Sequence, residues 1–222
     1  MSISQRIVIV TLKSLTRLLC RIDDTQLSRV PHQGPLILYT NHVNILEIPI
    51  IYTHLKPRPV QGLVSADRWD QGWSRWLLEV CDSIPLHRGE ADIVAIRRSI
   101  QSLRSGHIVI ISPEGTRSGH GRLQPAHPGV VLLAVHSGAP LLPIVYYGAE
   151  NYKENLAHLQ RTNFHIGVGK PFYLSADGHT ITRDIRQQMM TELMGQLAIL
   201  LPPEYRGDFA DMEITSTFLR YL

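Results

Sequence analysis

Short apolar runs that alternate with helical periods constrain the fold of this chain more than any other feature. Between the runs, apolar residues recur at three- and four-residue spacings, which is typical of helices. Alternation of strands and helices predicts an α/β fold, with a mixed, largely parallel sheet flanked by helices on both faces. In such sheets, ligands bind where strand ends meet helix starts. Five runs bounded by turn residues predict buried strands: Leu36–Thr40, Val60–Val64, Ile108–Ser112, Leu141–Tyr146 and Phe164–Gly169.

The helical periods fall in three segments, Ile93–Leu103, Val130–Val135 and Ile185–Leu200. The middle segment is apolar on all sides, which favours a helix buried inside the fold. The chain has 222 residues, of which 44% are hydrophobic and 18% charged. This composition is typical of a globular protein with one sizeable core. We expect residues 30–222 to form one domain.

The N-terminal segment, residues 1–29, carries five basic and two acidic side chains, which accounts for the whole formal charge of +3. Its longest uncharged run lies between Arg6 and Lys13 and is far shorter than the roughly 20 residues of a membrane span. The pattern of apolar and basic residues predicts an amphipathic helix, which either lies on an anionic membrane surface or packs on the domain. The rest of the chain has no basic stripe with interleaved aromatics, so we expect no nucleic-acid partner.

A further helix is predicted over Arg68–Val80, where three tryptophans occur at i, i+4 and i+7. On one helix Trp69, Trp73 and Trp76 would share a face. Indole combines a large apolar body with one polar N–H group, which suits a membrane interface or an acyl-chain groove. Packing into the core is the alternative interpretation of this stripe.

A histidine and a carboxylate stand five positions apart where the first strand ends, as His42 and Glu47. A carboxylate on one ring nitrogen orients a histidine and stabilises the imidazolium, so the pair predicts a general base. Residues five apart on a helix point about 140° away from each other, so His42 must precede the helix. Pro49 supports a helix start nearby. In the alternative interpretation, Asn44 and Glu47 form only a capping box.

Arginine also follows two apolar runs. Arg117 lies in the loop after the strand Ile108–Ser112, within Ile111–Arg122, next to hydroxyl and backbone donors. Arg88 ends the run that starts at Ile84. Guanidinium groups at strand ends suit bidentate binding of phosphate.

These pieces, in this order, resemble the glycerolipid acyltransferases, whose best-known members acylate 1-acylglycerol-3-phosphate and glycerol-3-phosphate. The segment Asn41–Glu47 resembles the family's NHxxxxD block, with glutamate in place of aspartate. The segment Pro113–Ser118 matches its PEGTRS block. Ile84–Arg88 and Leu142–Ile144 resemble its second and fourth blocks.

The resemblance implies transfer of an acyl group from acyl-CoA or acyl carrier protein to a lysophospholipid hydroxyl. His42 would be the base and Glu47 its orienting partner. No cofactor is implied beyond the thioester co-substrate, and the protein is expected to be peripheral on the cytoplasmic face of a membrane. Arg88 and Arg117 would hold the acceptor's phosphate, and Glu114, Gly115 and Thr116 would shape that pocket. Another acceptor, or an inactive lipid-binding relative, is the alternative.

Two other enzyme classes fit the sequence less well. A serine hydrolase also needs a His-carboxylate pair, but no GxSxG elbow is present. His120 and His127 lack zinc-ligand spacing and a third partner, so we expect no metal. Cys20 and Cys81 stand in apolar contexts and are expected to be buried thiols.

Overall fold

The computed structural model describes residues 3–70, 72–87, 92–178 and 180–222, without the side chains of residues 3, 4 and 73. The strands of these residues are β1 Cys20–Asp23, β2 Leu36–Thr40, β3 Val60–Ser65, β4 Ile84–Leu86, β5 Ile108–Ile111, β6 Leu141–Tyr147, β7 Thr162–Val168, β8 Phe172–Leu174 and β9 Leu219–Tyr221. The helices are α1 Ile3–Leu19, α2 Glu47–His54, α3 Gly72–Val80, α4 Ile93–Arg104, α5 Gly129–Ser137, α6 Tyr152–Ala157 and α7 Arg183–Leu200.

The described strands form one mixed sheet in the order β1-β7-β6-β2-β5-β3-β4. Every neighbouring pair in this order is parallel except β6 and β7. Strands β8 and β9 add antiparallel pairings, β8 to β6 and β9 to β8. The five predicted strands are present, with ends shifted by at most two residues. The predicted α/β fold with a largely parallel sheet is confirmed.

Both faces of the central strand β2 are buried, which explains its uninterrupted apolar sequence. Ile37 and Tyr39 face a core that includes side chains of α4, α5 and α7. Leu36 and Leu38 face a second core that includes side chains of α1 and α2. Helices therefore cover both faces of the sheet, as predicted.

The three predicted helical segments form α4, α5 and α7. Asp92 caps α4 by accepting a hydrogen bond from the backbone N–H of Ala95 at 2.9 Å, and Gly106 follows the helix with a φ of 78°. Thr182 caps α7 through its side chain. Most apolar side chains of α5 are buried, in agreement with its apolar sequence.

The N-terminal helix is shorter than the predicted 1–29 segment. It ends at Leu19 because Cys20 is buried and residues Cys20–Asp23 pair with β7 as a parallel strand. Helix α1 contacts α2, and no helix of the described residues is long and apolar enough to cross a bilayer. A domain boundary near residue 30 stays a prediction.

The prediction of a single helix over Arg68–Val80 is wrong. Trp69 belongs to a 3-10 helix over Ala66–Asp70, whereas Trp76 belongs to α3, which begins at Gly72. Asp70 ends the first element and Gly72 begins the second, and aspartate and glycine favour helix ends over helix interiors. Trp76 is 55% exposed, so it is not a core residue. The side chain of Trp73 lies outside the described part of the structure.

Candidate active site

A cleft of about 560 Å³ opens at the edge of the sheet where the parallel strands β2, β3, β4 and β5 end. Residues just beyond these strand ends contribute its polar groups, including His42, Arg68, His87 and Ser112. This placement agrees with the expectation that a ligand site forms at the strand ends. The apolar lining comes from Ile48, Ile51, Val60, Leu63, Val64, Leu86, Ile96, Ile110, Leu132 and Leu133.

His42 and Glu47 contact each other in this cleft, with His42 Nδ1 and Glu47 Oε2 2.6 Å apart. His42 lies in the connection after β2, and α2 begins at Glu47, so the two residues do not share a helix. The carboxylate is 4% exposed and the imidazole 17%. Because Nδ1 is occupied by Glu47, the other ring nitrogen, Nε2, is the one left to accept a proton.

The second oxygen of Glu47 holds the backbone of the same loop. Oε1 accepts hydrogen bonds from the N–H groups of Val43 at 2.8 Å and Asn44 at 2.7 Å. The bond to Asn44 is the reach-back bond of a capping box, but the helix N-cap is Leu46 rather than Asn44. Pro49 is the third residue of α2, where a missing N–H costs no helical bond. Glu47 therefore contacts both His42 and the N–H of Asn44, and the interpretation of Asn44 as the helix N-cap is wrong.

Two asparagines fix this loop to strand β6 and the residues after it, a role that the sequence analysis did not predict. Asn41 continues the pairing of β2 with β6, because its amide donates to the carbonyl of Tyr146 at 2.8 Å and accepts from the N–H of Tyr146 at 2.9 Å. Asn44 donates to the carbonyl of Ala149 at 2.8 Å. An amide side chain at a strand end can replace a peptide group in this way, which is the only signal the sequence offers.

The loop after β5 packs directly against the His42 loop. Ser118 N–H donates to the carbonyl of His42 at 2.8 Å, and Gly119 N–H donates to the carbonyl of Val43 at 3.0 Å. Gly115 lines the cleft with a φ of 68°, a conformation that favours glycine.

The structure brings only part of the predicted phosphate-binding set to the cleft. Glu114 is buried beside the His42 loop, and Gly115 lines the cleft. Thr116 and Arg117 are exposed and do not line it. Arg88 lies outside the described residues. Contact of these residues with a phosphate stays a prediction.

Glu114 has an unusual environment for an acid. Its side chain belongs to a residue that is 4% exposed, and neither carboxyl oxygen completes a hydrogen bond among the described residues. Burial raises the pKa of Glu114 to about 8, with a smaller contribution from the negative charge of Glu47. The backbone N–H groups of His42 and Gln124 offset only part of this rise. Burial therefore favours the protonated form of Glu114 over the carboxylate.

A second His-carboxylate pair lies in the same cleft, and sequence reasoning missed it. His87 Nδ1 is 3.0 Å from Asp92 Oδ2, which also accepts the backbone N–H of His87 at 2.9 Å. The backbone N–H groups of His87 and Ala95 lower the pKa of Asp92 to about 2. The imidazole of His87 is 78% exposed.

The described part of the predicted tryptophan stripe does not line this cleft. Trp69 and Trp76 are absent from its lining, so contact of these tryptophans with an acyl chain or a membrane stays a prediction. Within the described ranges, no three His, Cys, Asp or Glu side chains are grouped so that they could hold a metal ion.

The fold and the cleft fit an acyl-group transferase, and comparison with known proteins shows that class. The model of the Acyltransferase family matches residues 21–147, more than half of the chain. The chain therefore belongs to the acyltransferase family and is an enzyme that transfers acyl groups.

Particular relatives have more specific names. The chain is 23% identical over 167 residues to the 1-acyl-sn-glycerol-3-phosphate acyltransferase of Bacillus subtilis, covering 75% of this chain and 81% of that protein. It is 23% identical over 183 residues to the lyso-ornithine lipid O-acyltransferase of Pseudomonas aeruginosa, covering 74% and 70%. The crystal structure of the 1-acyl-sn-glycerophosphate acyltransferase PlsC from Thermotoga maritima aligns with a TM-score of 0.62 at 17% identity, covering 88% of this chain and 79% of that one.

Proposed function

We propose that this enzyme moves a fatty acyl group from acyl-CoA or acyl carrier protein to a hydroxyl of a lysophospholipid, with 1-acylglycerol-3-phosphate as the first candidate acceptor. The observation that carries the proposal is the contact of His42 with Glu47 in a largely apolar cleft. The name of the Bacillus subtilis relative supports this acceptor.

The chemistry follows from the free ring nitrogen of His42. Nε2 takes the proton from the acceptor hydroxyl as the oxygen attacks the thioester carbonyl. The carbon–sulfur bond then breaks, and the thiolate leaves and receives the proton from the imidazolium. The carboxylate of Glu47 stabilises the imidazolium between these two proton transfers. No acyl-enzyme forms, and the base contributes about 10² to 10⁴ in rate.

The apolar lining of the cleft suits the hydrocarbon chain of an acyl group, because burying each CH₂ contributes about 0.8 kcal/mol. Arg88 and Arg117 are proposed to hold the acceptor's phosphate, with Glu114, Gly115 and Thr116 shaping that pocket. Two arginines would form bidentate pairs with phosphate oxygens.

The protein is proposed to bind the cytoplasmic face of a membrane peripherally, and the surface of α1 supports the membrane binding. Its exposed apolar side chains are Ile7, Val10, Leu15 and Leu18. Arg6 and Arg17 are exposed on the same helix. A helix of this kind lies in the plane of an anionic bilayer. Binding to vesicles with anionic lipid should decrease for Leu18→Glu, and unchanged binding would contradict this orientation.

The decisive experiment incubates purified protein with acyl-CoA and a panel of acceptors, followed by lipid mass spectrometry. The panel contains lysophospholipids and glycerol-3-phosphate. It also contains lyso-ornithine lipid, because one relative carries that name. A new diacyl product identifies the acceptor. If no acceptor is acylated by a folded protein that still binds lipid, the inactive lipid-binding alternative holds instead.

Two variants test the base directly. His42→Ala should abolish transfer. Glu47→Gln should lower kcat strongly, because the glutamine amide would donate to Nδ1 and leave the proton on Nε2, the nitrogen that must accept. His158→Ala is the matched control, since His158 is exposed and its Nδ1 lies 2.9 Å from the carbonyl oxygen of Glu154. Full activity of Glu47→Gln would show that Glu47 only holds the loop and does not orient His42.

A further inference from the structure

The carboxyl group of Glu114 lies beside the candidate base as a direct result of sheet register. Strands β2 and β5 are parallel neighbours, with Tyr39 opposite Ile111. His42 and Glu114 each follow three residues later, so they leave the sheet side by side. The loop hydrogen bonds from Ser118 and Gly119 keep the two connections together.

The surroundings of Glu114 do not favour a negative charge. The residue is almost fully buried, and the backbone N–H groups of His42 and Gln124, one from each loop, face its carboxyl group but offset only part of the rise in pKa that burial causes. The ionised side chain that acts on it is Glu47, from α2, and this charge is of the same sign. His42 and His127 are the nearby ionisable side chains from the two loops, with His127 packed against Gly115. Two buried carboxylates in one small site disfavour double ionisation.

We infer that Glu114 is a positioning residue that acts as a neutral, protonated acid and keeps the His42 loop and the loop after β5 packed together. The inference rests on the proposed role of His42 as base. Loss of the Glu114 proton would put a second negative charge beside Glu47 and draw water toward it, which would separate the two loops. A charged Glu114 would also repel the acceptor's phosphate, so the predicted phosphate pocket requires the neutral form.

The inference predicts that the enzyme loses activity at alkaline pH. Because burial sets the pKa of Glu114 near 8, deprotonation at pH about 9 should leave about one tenth of the enzyme in the active form. Glutamine has nearly the same shape as protonated glutamate but does not ionise in this pH range. The activity of the Glu114→Gln variant should therefore persist to higher pH.

The test compares kcat against pH for the wild type and Glu114→Gln, with Glu154→Gln as the control because Glu154 is exposed on α6. The ratio of kcat at pH about 9 to kcat at pH about 7 should be roughly tenfold higher in Glu114→Gln than in the other two proteins. Glu114→Gln should also retain more activity than Glu114→Ala. Equal ratios in all three proteins would overturn the inference.

A second measurement does not depend on transfer activity or on a stable variant. The infrared C=O band of a buried protonated carboxyl should be present in the wild type at pH about 7 and disappear with a midpoint near 8. Absence of that band at pH about 7 would overturn the inference. If the band titrates as expected while no acceptor is acylated, the proposed function fails and the protonated state of Glu114 stands.

Discussion

Replacing Glu114 with glutamine should make the stability of this enzyme less dependent on pH. In the unfolded chain a glutamate loses its proton near 4.5, whereas in the folded protein the pKa is about 8. Between these values the folded state holds a proton that the unfolded state has released, so the free energy of unfolding falls as pH rises. At 1.36 kcal/mol per pH unit, the loss by pH 8 is about 5 kcal/mol. Above pH 8 it does not grow further.

Urea unfolding at pH about 5 and about 9 measures this effect. The free energy of unfolding of Glu114→Gln, relative to that of the wild type, should be higher at pH about 9 than at pH about 5 by several kcal/mol. The control Glu154→Gln should show no such change, because the side chain is exposed. If the stability difference between wild type and Glu114→Gln is the same at both pH values, the carboxyl group is charged in the folded protein and the reasoning is wrong.

Three further predictions follow from the site. Asn41→Ala should lower the free energy of unfolding by about 2 kcal/mol or more, because the N–H and carbonyl groups of Tyr146 lose their partners. Chemical denaturation measures this loss, and an unchanged midpoint would contradict the prediction. Arg117→Ala should raise the KM for the acceptor more than the KM for the donor, which kinetics with each substrate varied separately can refute. Excess chelator should leave activity unchanged, whereas inactivation reversed by added zinc would show a metal site.

The sheet could be predicted because its signal is local. Strand β2 is buried on both faces, so its apolar run is continuous and stands out from the polar residues around it. Strands β1, β8 and β9 have only three or four residues each, too few to give a pattern. The tryptophan stripe failed for a related reason: periodicity shows where side chains would point on a helix, but not that the helix is continuous.

The candidate site could be predicted only where its partners are close in sequence. His42 and Glu47 are five residues apart, and Pro49 marks the helix start that lets them meet. The bonds of Asn41 to Tyr146 join residues 105 positions apart, and no local pattern reveals them. The raised pKa of Glu114 depends on burial by the folded chain, so no sequence pattern could reveal it.

The three contacts of Glu47 make local folding and chemical competence depend on one side chain. The carboxylate that orients His42 also binds the N–H groups of Val43 and Asn44 just before α2. A molecule in which this turn has formed correctly thus already has its imidazole aligned, with no separate adjustment when substrate arrives. Directed evolution of this enzyme should consequently leave residue 47 alone and alter the apolar wall of the cleft instead.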